Sequence, residues 1–335
     1  MTKKYCFLFL LCLVSGIELH GQETIVNCTD STFCIPSVIG LPRTKGIVIK
    51  RELVKDYFIK SSADQPVGNS NAEVRRNRRW EMKLKAPIIL KDNFKMAVGF
   101  KYFVEEFNFE DVENPQYAFY NNLEDRPLRS IRGDVFMIKP TLGNRYYILR
   151  VSAGLNGDYN LENFAKKDFL KFSISPLIGW KKNDYVSYAF GLAYSYSFGR
   201  RSLYPLIAYN KSFDNQWGLE SILPAEIKLR YSTLNLKNYF YLKTELNGSN
   251  YSLRLSDQQS LVYLNKSEIR FLLTWEREVH DWLWFSIEGG LRTNINFDLA
   301  NTPDINADVV VENQLNEAMV LSFSIFVVPP RKLLK

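Results

Sequence analysis

The sequence predicts an all-β protein: an antiparallel transmembrane β-barrel of about 14 strands, with short periplasmic turns and long external loops. Three observations lead to this fold class. Many segments alternate large apolar residues with small or polar ones, a short apolar run lies near the N-terminus, and the connectors alternate between short and long. Twelve strands is the main alternative, because the strand patterns near 44–58 and 249–255 are weak.

The clearest alternation is "DYVSYAFGLAYSYSFG", residues 184–199. Every second residue from Val186 to Phe198 is large, and the residues between them are small or polar. A period of two indicates a strand with two different faces. This apolar face is longer than most strands of soluble proteins. A soluble β-sandwich or lipocalin-like barrel is therefore the less favoured alternative. Lipid offers no hydrogen-bond partners, so a membrane sheet is expected to close into a barrel.

The same alternation recurs along the chain, which predicts a barrel over residues 44–328. It is present in "WEMKLKA", "NFKMAVGFKYFVE", "FLKFSISPLIGWK", "EIKLRYS", "SEIRFLLTWE", "WLWFSIEGGLRTNINF" and "MVLSFSIFV". Residues 329–335 form a C-terminal tail.

The N-terminus has the features of a signal peptide. Lys3 and Lys4 precede the apolar run "YCFLFLLCLV", which is too short to span a bilayer as a helix. We predict a signal peptide over 1–21 and a short periplasmic N-terminal extension over 22–43. Within the extension, Cys28 and Cys34 are a candidate disulfide in an oxidising compartment. Two thiols without nearby histidines do not complete a metal site, and no metal or cofactor is predicted.

The connectors support a location in the bacterial outer membrane. Short connectors are predicted at 91–93, 141–144, 181–184, 247–250 and 278–281. Long connectors are predicted at 59–79, 108–131, 155–168, 256–266 and 298–317. Short periplasmic turns and long external loops are typical of outer-membrane barrels.

Residues 175–253 contain "GLAYSYSFG", then "LPAEIKLRY" after "WGLES", then "LNGSNYSL". This stretch resembles an uncharacterised outer-membrane β-barrel family of Bacteroidota, a domain of unknown function. The resemblance is close over these residues and looser along the rest of the barrel. It implies the fold and the location, and it brings no catalytic residues.

Charged residues at inward positions are candidates for lining the lumen. They are Lys95, Lys101, Arg150, Lys171, Lys228, Arg230, Arg270, Glu288 and Arg292. Rings of basic residues line anion pores, so this set favours a pore or transporter for small anionic or neutral solutes. The alternative is a closed barrel whose charges pair across the lumen, with a structural or surface ligand-binding role.

Two arginine clusters are predicted at the external ends of strands, where they could contact lipopolysaccharide phosphates. They are Arg75, Arg76, Arg78 and Arg79, and Arg200 and Arg201. A solvated basic loop is the alternative for both. The loop 108–131 carries Tyr117, Phe119 and Tyr120, and either binds a surface ligand or folds into the lumen as a plug.

The composition disfavours other function classes. The net charge of +7 is spread along the chain, so nucleic-acid binding is not expected. The chain has two histidines, His20 in the signal and His280 in a predicted periplasmic turn. Known barrel hydrolases resemble one another in needing a histidine near the external rim, so an enzyme is not expected. The expected partners are outer-membrane lipid, lipopolysaccharide and the barrel-assembly machinery.

Overall fold

A computed structural model describes residues 33–64, 67–159, 167–255 and 261–331. It contains one α-helix, α1 (Ala118–Asp125), and sixteen strands. The strands are β1 (Ile47–Val54), β2 (Tyr57–Ser62), β3 (Ser70–Lys91), β4 (Phe94–Glu110), β5 (Leu128–Pro140), β6 (Arg145–Gly157), β7 (Leu170–Asn183), β8 (Val186–Ser195), β9 (Ser202–Ser212), β10 (Trp217–Leu223), β11 (Glu226–Ser232), β12 (Asn238–Leu253), β13 (Val262–His280), β14 (Leu283–Ala300), β15 (Val309–Leu315) and β16 (Ala318–Val327).

The strands close into an antiparallel barrel with 14 strand positions. Strands β1 and β2 share one position, because both pair with β3, and β15 and β16 share another, because both pair with β14. The barrel closes where β1 pairs with β16 and β2 pairs with β15. The breaks in these two positions face each other and are bridged by backbone hydrogen bonds, such as Lys55 N to Met319 O at 2.9 Å. The predicted fold of about 14 strands is confirmed.

The first and last described residues, Phe33 and Arg331, lie at one end of the barrel, which we call the terminal end. The connectors there are 92–93, 141–144, 184–185, 213–216, 233–237 and 281–282. The other end, the loop end, has the connectors 63–69, 111–127, 158–169, 196–201, 224–225, 254–261 and 301–308. Loop-end connectors are mostly longer, as in membrane barrels.

Two predicted connectors are mostly strand, and a third, 298–317, contains β15. The segment 247–250 lies inside β12, where its residues continue the pairing with β13, such as Asn250 opposite Asn265. Gly248 is needed there because an added Cβ would collide with the backbone of Ser197. The segment 59–79 is mostly strand, and only residues 63–69 connect β2 to β3. In both cases inter-strand pairing outweighs the local preference of Asn, Ser and Gly for turns.

The outer wall is apolar and carries an aromatic girdle. Leu192, Leu242, Leu273 and Leu321 are among its exposed residues. Ring-to-ring contacts of 4.9–6.4 Å link Trp217, Tyr231, Phe240, Trp275, Phe285 and Phe323. Aromatic girdles beside an apolar band are typical of barrels that cross a bilayer. Among the described residues, no helix is both long and apolar enough to span a membrane.

The N-terminal segment 33–46 crosses the mouth of the barrel at the terminal end. Ile39 N donates to Asp184 O in the β7–β8 turn at 2.9 Å. Arg43 pairs with Asp281 in the β13–β14 turn at 3.1 Å and also donates to Pro329 O at 2.8 Å. These anchors lie at separate positions around the barrel, so the segment partly covers this opening.

Candidate functional site

Helix α1 plugs the loop-end half of the lumen. Phe119, Tyr120 and Leu123 are buried in an apolar core that includes Phe109 of β4 and Phe297 of β14. The Tyr120 ring stacks on Phe109 at 4.8 Å, and Phe119 lies 6.1 Å from Phe297. The loop 108–131 was predicted either to bind a surface ligand or to fold into the lumen as a plug, and in the structure it forms a plug.

A buried carboxyl group, that of Asp158, links the plug to the barrel wall. Asp158, just beyond β6, accepts a hydrogen bond from Asn122 of α1 at 3.3 Å and one from Arg254 N at 3.1 Å. Burial raises the pKa of the Asp158 carboxyl, because its desolvation outweighs these hydrogen bonds. On the other side of the helix, Tyr120 and Ser61 share a hydrogen bond of 2.6 Å.

Paired charges fill the lumen beside this apolar core. Six side chains form what we call the buried ion network: Glu52, Arg79, Glu105, Lys266, Glu268 and Arg270. The Arg79 guanidinium lies at its centre and donates to all three carboxylates over 2.7–2.9 Å. Three cations balance three carboxylates, which satisfies charges that would be costly to bury alone. The predicted lumen residue Arg270 is therefore part of a filled interior.

Glu288 and Arg292, also predicted to line the lumen, adjoin this network. Glu288 pairs with Lys50 at 2.7 Å and with Lys243, and it accepts hydrogen bonds from Thr274 and Ser322 at 3.0 and 3.1 Å. The Arg292 guanidinium lies over the Tyr57 ring at 4.1 Å. These side chains are buried in contacts with the protein itself, so they present little free charge to a solute.

The wall formed by β3, β4, β5 and β6 is different, because its cations oppose one another. Lys83 is directly opposite Lys101, and Lys101 is directly opposite Arg132. We call these three residues the basic row. Like charges in directly opposed positions repel each other. Lys85 and Arg150 add two more cations on the same inner wall.

The carboxylates on this wall do not balance its cations. Glu81 pairs with Lys83 and Lys101 at 2.7 and 2.6 Å. Asp134 pairs with Arg150 at 2.8 Å and with Arg132 at 3.3 Å. Five cations and two carboxylates leave three positive charges. The Lys83 and Arg150 side chains are 49% and 48% exposed although they face inward, so this wall borders water-accessible space. The arrangement can bind an anion.

Three further predicted lumen residues lie away from the basic row. Lys95 is half-buried near the terminal end of β4. Lys228 pairs with Glu226 at 2.9 Å. Arg230 pairs with Glu220 at 3.0 Å and also donates to the Gly40 carbonyl, so it anchors the N-terminal segment.

Lys171 does not line the central lumen, contrary to the prediction. Its Nζ donates to Ser252 Oγ at 3.2 Å, and Ser252 shares a face of β12 with the exposed Phe240 and Leu242. The reason is that β6 and β12 pair across the barrel, at Gly157 and Ser252. This pairing places the end of β12 between β7 and the lumen, so Lys171 of β7 faces β12.

The first arginine cluster divides between the two faces of β3. Arg79 is 3% exposed and belongs to the buried ion network, so its predicted contact with lipopolysaccharide is wrong. Arg75 is held by Glu110, Glu73 and Asp56 over 3.0–3.6 Å. Arg76 and Arg78 are exposed.

The second cluster binds a neighbouring connector. Arg200 donates to Ile305 O at 2.8 Å, and Arg201 pairs with Asp304. Both arginines therefore hold the β14–β15 connector against the β8–β9 connector.

Of the cysteines and histidines named in the sequence analysis, Cys34 and His280 lie at the terminal end. Cys34 is disulfide-bonded, whereas Cys28 and His20 lie outside the described residues, so the pairing with Cys28 stays a prediction. His280 is exposed beside Trp282, with ring centroids 5.6 Å apart. In the described part of the chain, no group of three or more His, Cys, Asp or Glu could hold a metal ion.

Sequence reasoning missed Arg132, Asp134 and Lys266. The segment "IRGDVFMIK", residues 131–139, has a period of two that could have placed the first two on an inner face. Lys266 was expected in a loop, but it belongs to β13, where it pairs with Ser249 of β12 and with Phe297 of β14.

Residues 49–303 match the family model described as a domain of unknown function, DUF6268. No curated protein sequence matches the chain. An outer membrane channel from Pseudomonas putida F1 is 10% identical, with a TM-score of 0.39 over 86% of this chain and 97% of that chain. A FadL homologue of Pseudomonas aeruginosa is 8% identical, with a TM-score of 0.39 over 91% and 99%. The outer membrane protease OmpT of Escherichia coli is 7% identical, with a TM-score of 0.27 over 86% and 98%. These similarities are too low to assign a function.

Proposed function

The chain belongs to the DUF6268 family, a domain of unknown function, and on this premise we propose that it is an outer-membrane barrel that binds small anionic solutes in its lumen. The basic row carries the proposal. Lys83, Lys101 and Arg132 are directly opposed on three neighbouring strands, and with Lys85 and Arg150 they exceed the local carboxylates by three charges. A bound anion would relieve this repulsion.

Passage through the barrel requires α1 to move. The helix and its apolar partners occupy the loop-end half of the lumen, and an anion cannot cross an apolar core without losing its hydration. We therefore propose a gated pore that is closed in this conformation. The second candidate is a permanently closed barrel with a structural or ligand-binding role, and the buried ion network favours it because paired charges fill the lumen there.

The test is single-channel conductance of the refolded full chain in a planar bilayer, with the reversal potential measured in a salt gradient. We compare wild type, a loosened-plug variant (Phe119→Ala with Leu123→Ala), and that variant with Lys83→Gln, Lys101→Gln and Arg132→Gln. The matched control adds Lys182→Gln, Lys237→Gln and Arg277→Gln instead, which remove three exposed cations at the terminal end.

We expect little conductance from wild type and an anion-selective conductance from the loosened-plug variant. The three changes in the basic row should remove the anion preference, and the control changes should keep it. A loosened-plug variant that inserts but never conducts would support the permanently closed barrel. Conductance without anion preference would refute the anion site.

The proposal contains no catalytic step, which fits the position of His280 at the terminal end. An outer-membrane location, an origin in Bacteroidota and a signal peptide over 1–21 are parts of the same proposal. Membrane fractionation of the native cells and mass spectrometry of the mature N-terminus test them. A mature chain that retains residues 1–21 would contradict the signal peptide.

A further inference from the structure

The lipid-facing side of β1 contains a charged residue within an apolar series. Ile47, Ile49, Arg51 and Leu53 share this face and are all exposed. Arg51 is paired in register with Trp80 of β3 and with Phe323 of β16, and both of these are exposed apolar residues. A charge placed among lipid-facing side chains is costly unless it lies at the edge of the bilayer with a polar partner.

Strand β3 supplies two more cations beside Arg51. The irregularity between Val74 and Arg76 sets Arg76 and Arg78 outward, on the loop-end side of Trp80. Arg78 is opposite Leu53, which makes Arg51 and Arg78 diagonal neighbours about 7–8 Å apart. Trp80 therefore marks the level at which the apolar face of β3 gives way to positive charge.

Lys55 completes the group. It follows Val54, whose partner in β3 is Asn77, so it lies beside Arg76 and Arg78. We call these four exposed cations the outer basic patch: Arg51, Lys55, Arg76 and Arg78.

The outer basic patch is not neutralised by the protein. Glu106 is opposite Arg78, but none of the four cations has an ion pair within 4.0 Å among the described residues. The adjacent Arg75, by contrast, has three carboxylates within 3.6 Å. With Glu106 and with Asp56, the exposed residue after Lys55, the four cations leave two positive charges at the edge of the apolar wall.

We propose that the outer basic patch binds the phosphorylated head group of a lipid in the loop-end leaflet. The guanidinium groups suit this ligand because their paired donors match two phosphate oxygens. The exposed faces of Ile49, Leu53 and Trp80 then contact the acyl chains. This site is on the outside of the barrel, so its test is independent of the test of the anion site in the lumen.

The experiment measures lipid retention by the full chain. Wild type is reconstituted into phosphatidylcholine nanodiscs containing diphosphoryl or monophosphoryl lipid A, and bound lipid is counted by native mass spectrometry after release. The test variant carries Arg51→Gln, Lys55→Gln, Arg76→Gln and Arg78→Gln. The control variant carries Lys139→Gln, Lys182→Gln, Lys237→Gln and Arg277→Gln, which remove four exposed cations near the terminal end.

Wild type should retain the diphosphoryl lipid, and the test variant should bind it about tenfold more weakly or worse, since each charge-assisted hydrogen bond contributes about one factor of ten. The control variant should bind like wild type. Equal retention by the test variant would overturn the proposal. Loss of the lipid in excess inorganic phosphate would also overturn it, because the patch would then be a free-anion site. An unfolding midpoint equal to that of wild type shows that the test variant is folded.

Discussion

Replacing Arg79 with methionine should destabilise the barrel strongly. The side chain is 3% exposed, and it donates to Glu52, Glu105 and Glu268 over 2.7–2.9 Å. Each carboxylate keeps at least one other cation. Lys266 still pairs with Glu105, Arg270 pairs with Glu52 and Glu268, and Lys50 also lies 3.3 Å from Glu52. The free energy of unfolding should therefore fall by about 3–5 kcal/mol, as expected when one partner is removed from a buried ion cluster, and not by the sum of three broken ion pairs.

The assay is equilibrium unfolding by urea in phospholipid vesicles that contain no lipopolysaccharide. Arg78→Met is the matched control, since the neighbouring arginine is exposed and has no ion pair among the described residues. We expect it to change the free energy of unfolding by about 0.5 kcal/mol or less. Similar stabilities for the two variants, within about 1 kcal/mol, would refute the account of the buried ion network.

Three smaller perturbations test the plug and the N-terminal segment. Tyr120→Phe removes the hydrogen bond with Ser61 and should lower the stability of the docked plug by about 1 kcal/mol, read as faster amide exchange over residues 118–125; unchanged exchange would contradict this. Gly40→Ala should detach the N-terminal segment and increase its cleavage by proteases. Gly40 has a φ of +74°, and an added Cβ would lie 2.7 Å from Arg230 Nη1. An unchanged rate of cleavage would contradict this. Because the pKa of Asp158 is raised, the folded state keeps the carboxyl proton to a higher pH than the unfolded chain does. Docking of the plug should therefore be strongest below the ordinary aspartate pKa of about 3.9. It should weaken as the pH rises through the raised pKa. Conductance of the loosened-plug variant should therefore increase with pH, and adding Asp158→Asn to it should remove that dependence.

The two sides of the lumen wall have different electrostatic roles. Around Arg79 the charges are balanced and buried, which is a way to fill a barrel whose inner residues are polar. Along the basic row the charges are unbalanced and partly exposed. The two arrangements considered for the lumen charges, an unbalanced basic lining and paired charges that fill the interior, are therefore not exclusive, because each describes a different wall.

The strand pattern was readable from the sequence because it is a local property. Lipid on one side and a polar interior on the other require alternation along every strand, and Phe190 and Leu192 are exposed on the outer face while Ala189 and Ala193 are buried inside. The predicted number of about 14 strands used the same pattern and the connectors, although the segments 247–250 and 59–79 proved to be mostly strand.

The functional features depended on relations between distant residues. Arg79 faces inward because of the irregularity in β3 between Val74 and Arg76. A shift of one residue exchanges the two faces of a strand, so the face of Arg79 could not be read from alternation alone. The basic row exists because the register sets Lys83, Lys101 and Arg132 opposite one another. Alternation specifies which side of the wall a residue faces, whereas register and the docking of α1 specify its neighbours, and those are decided only when the barrel closes.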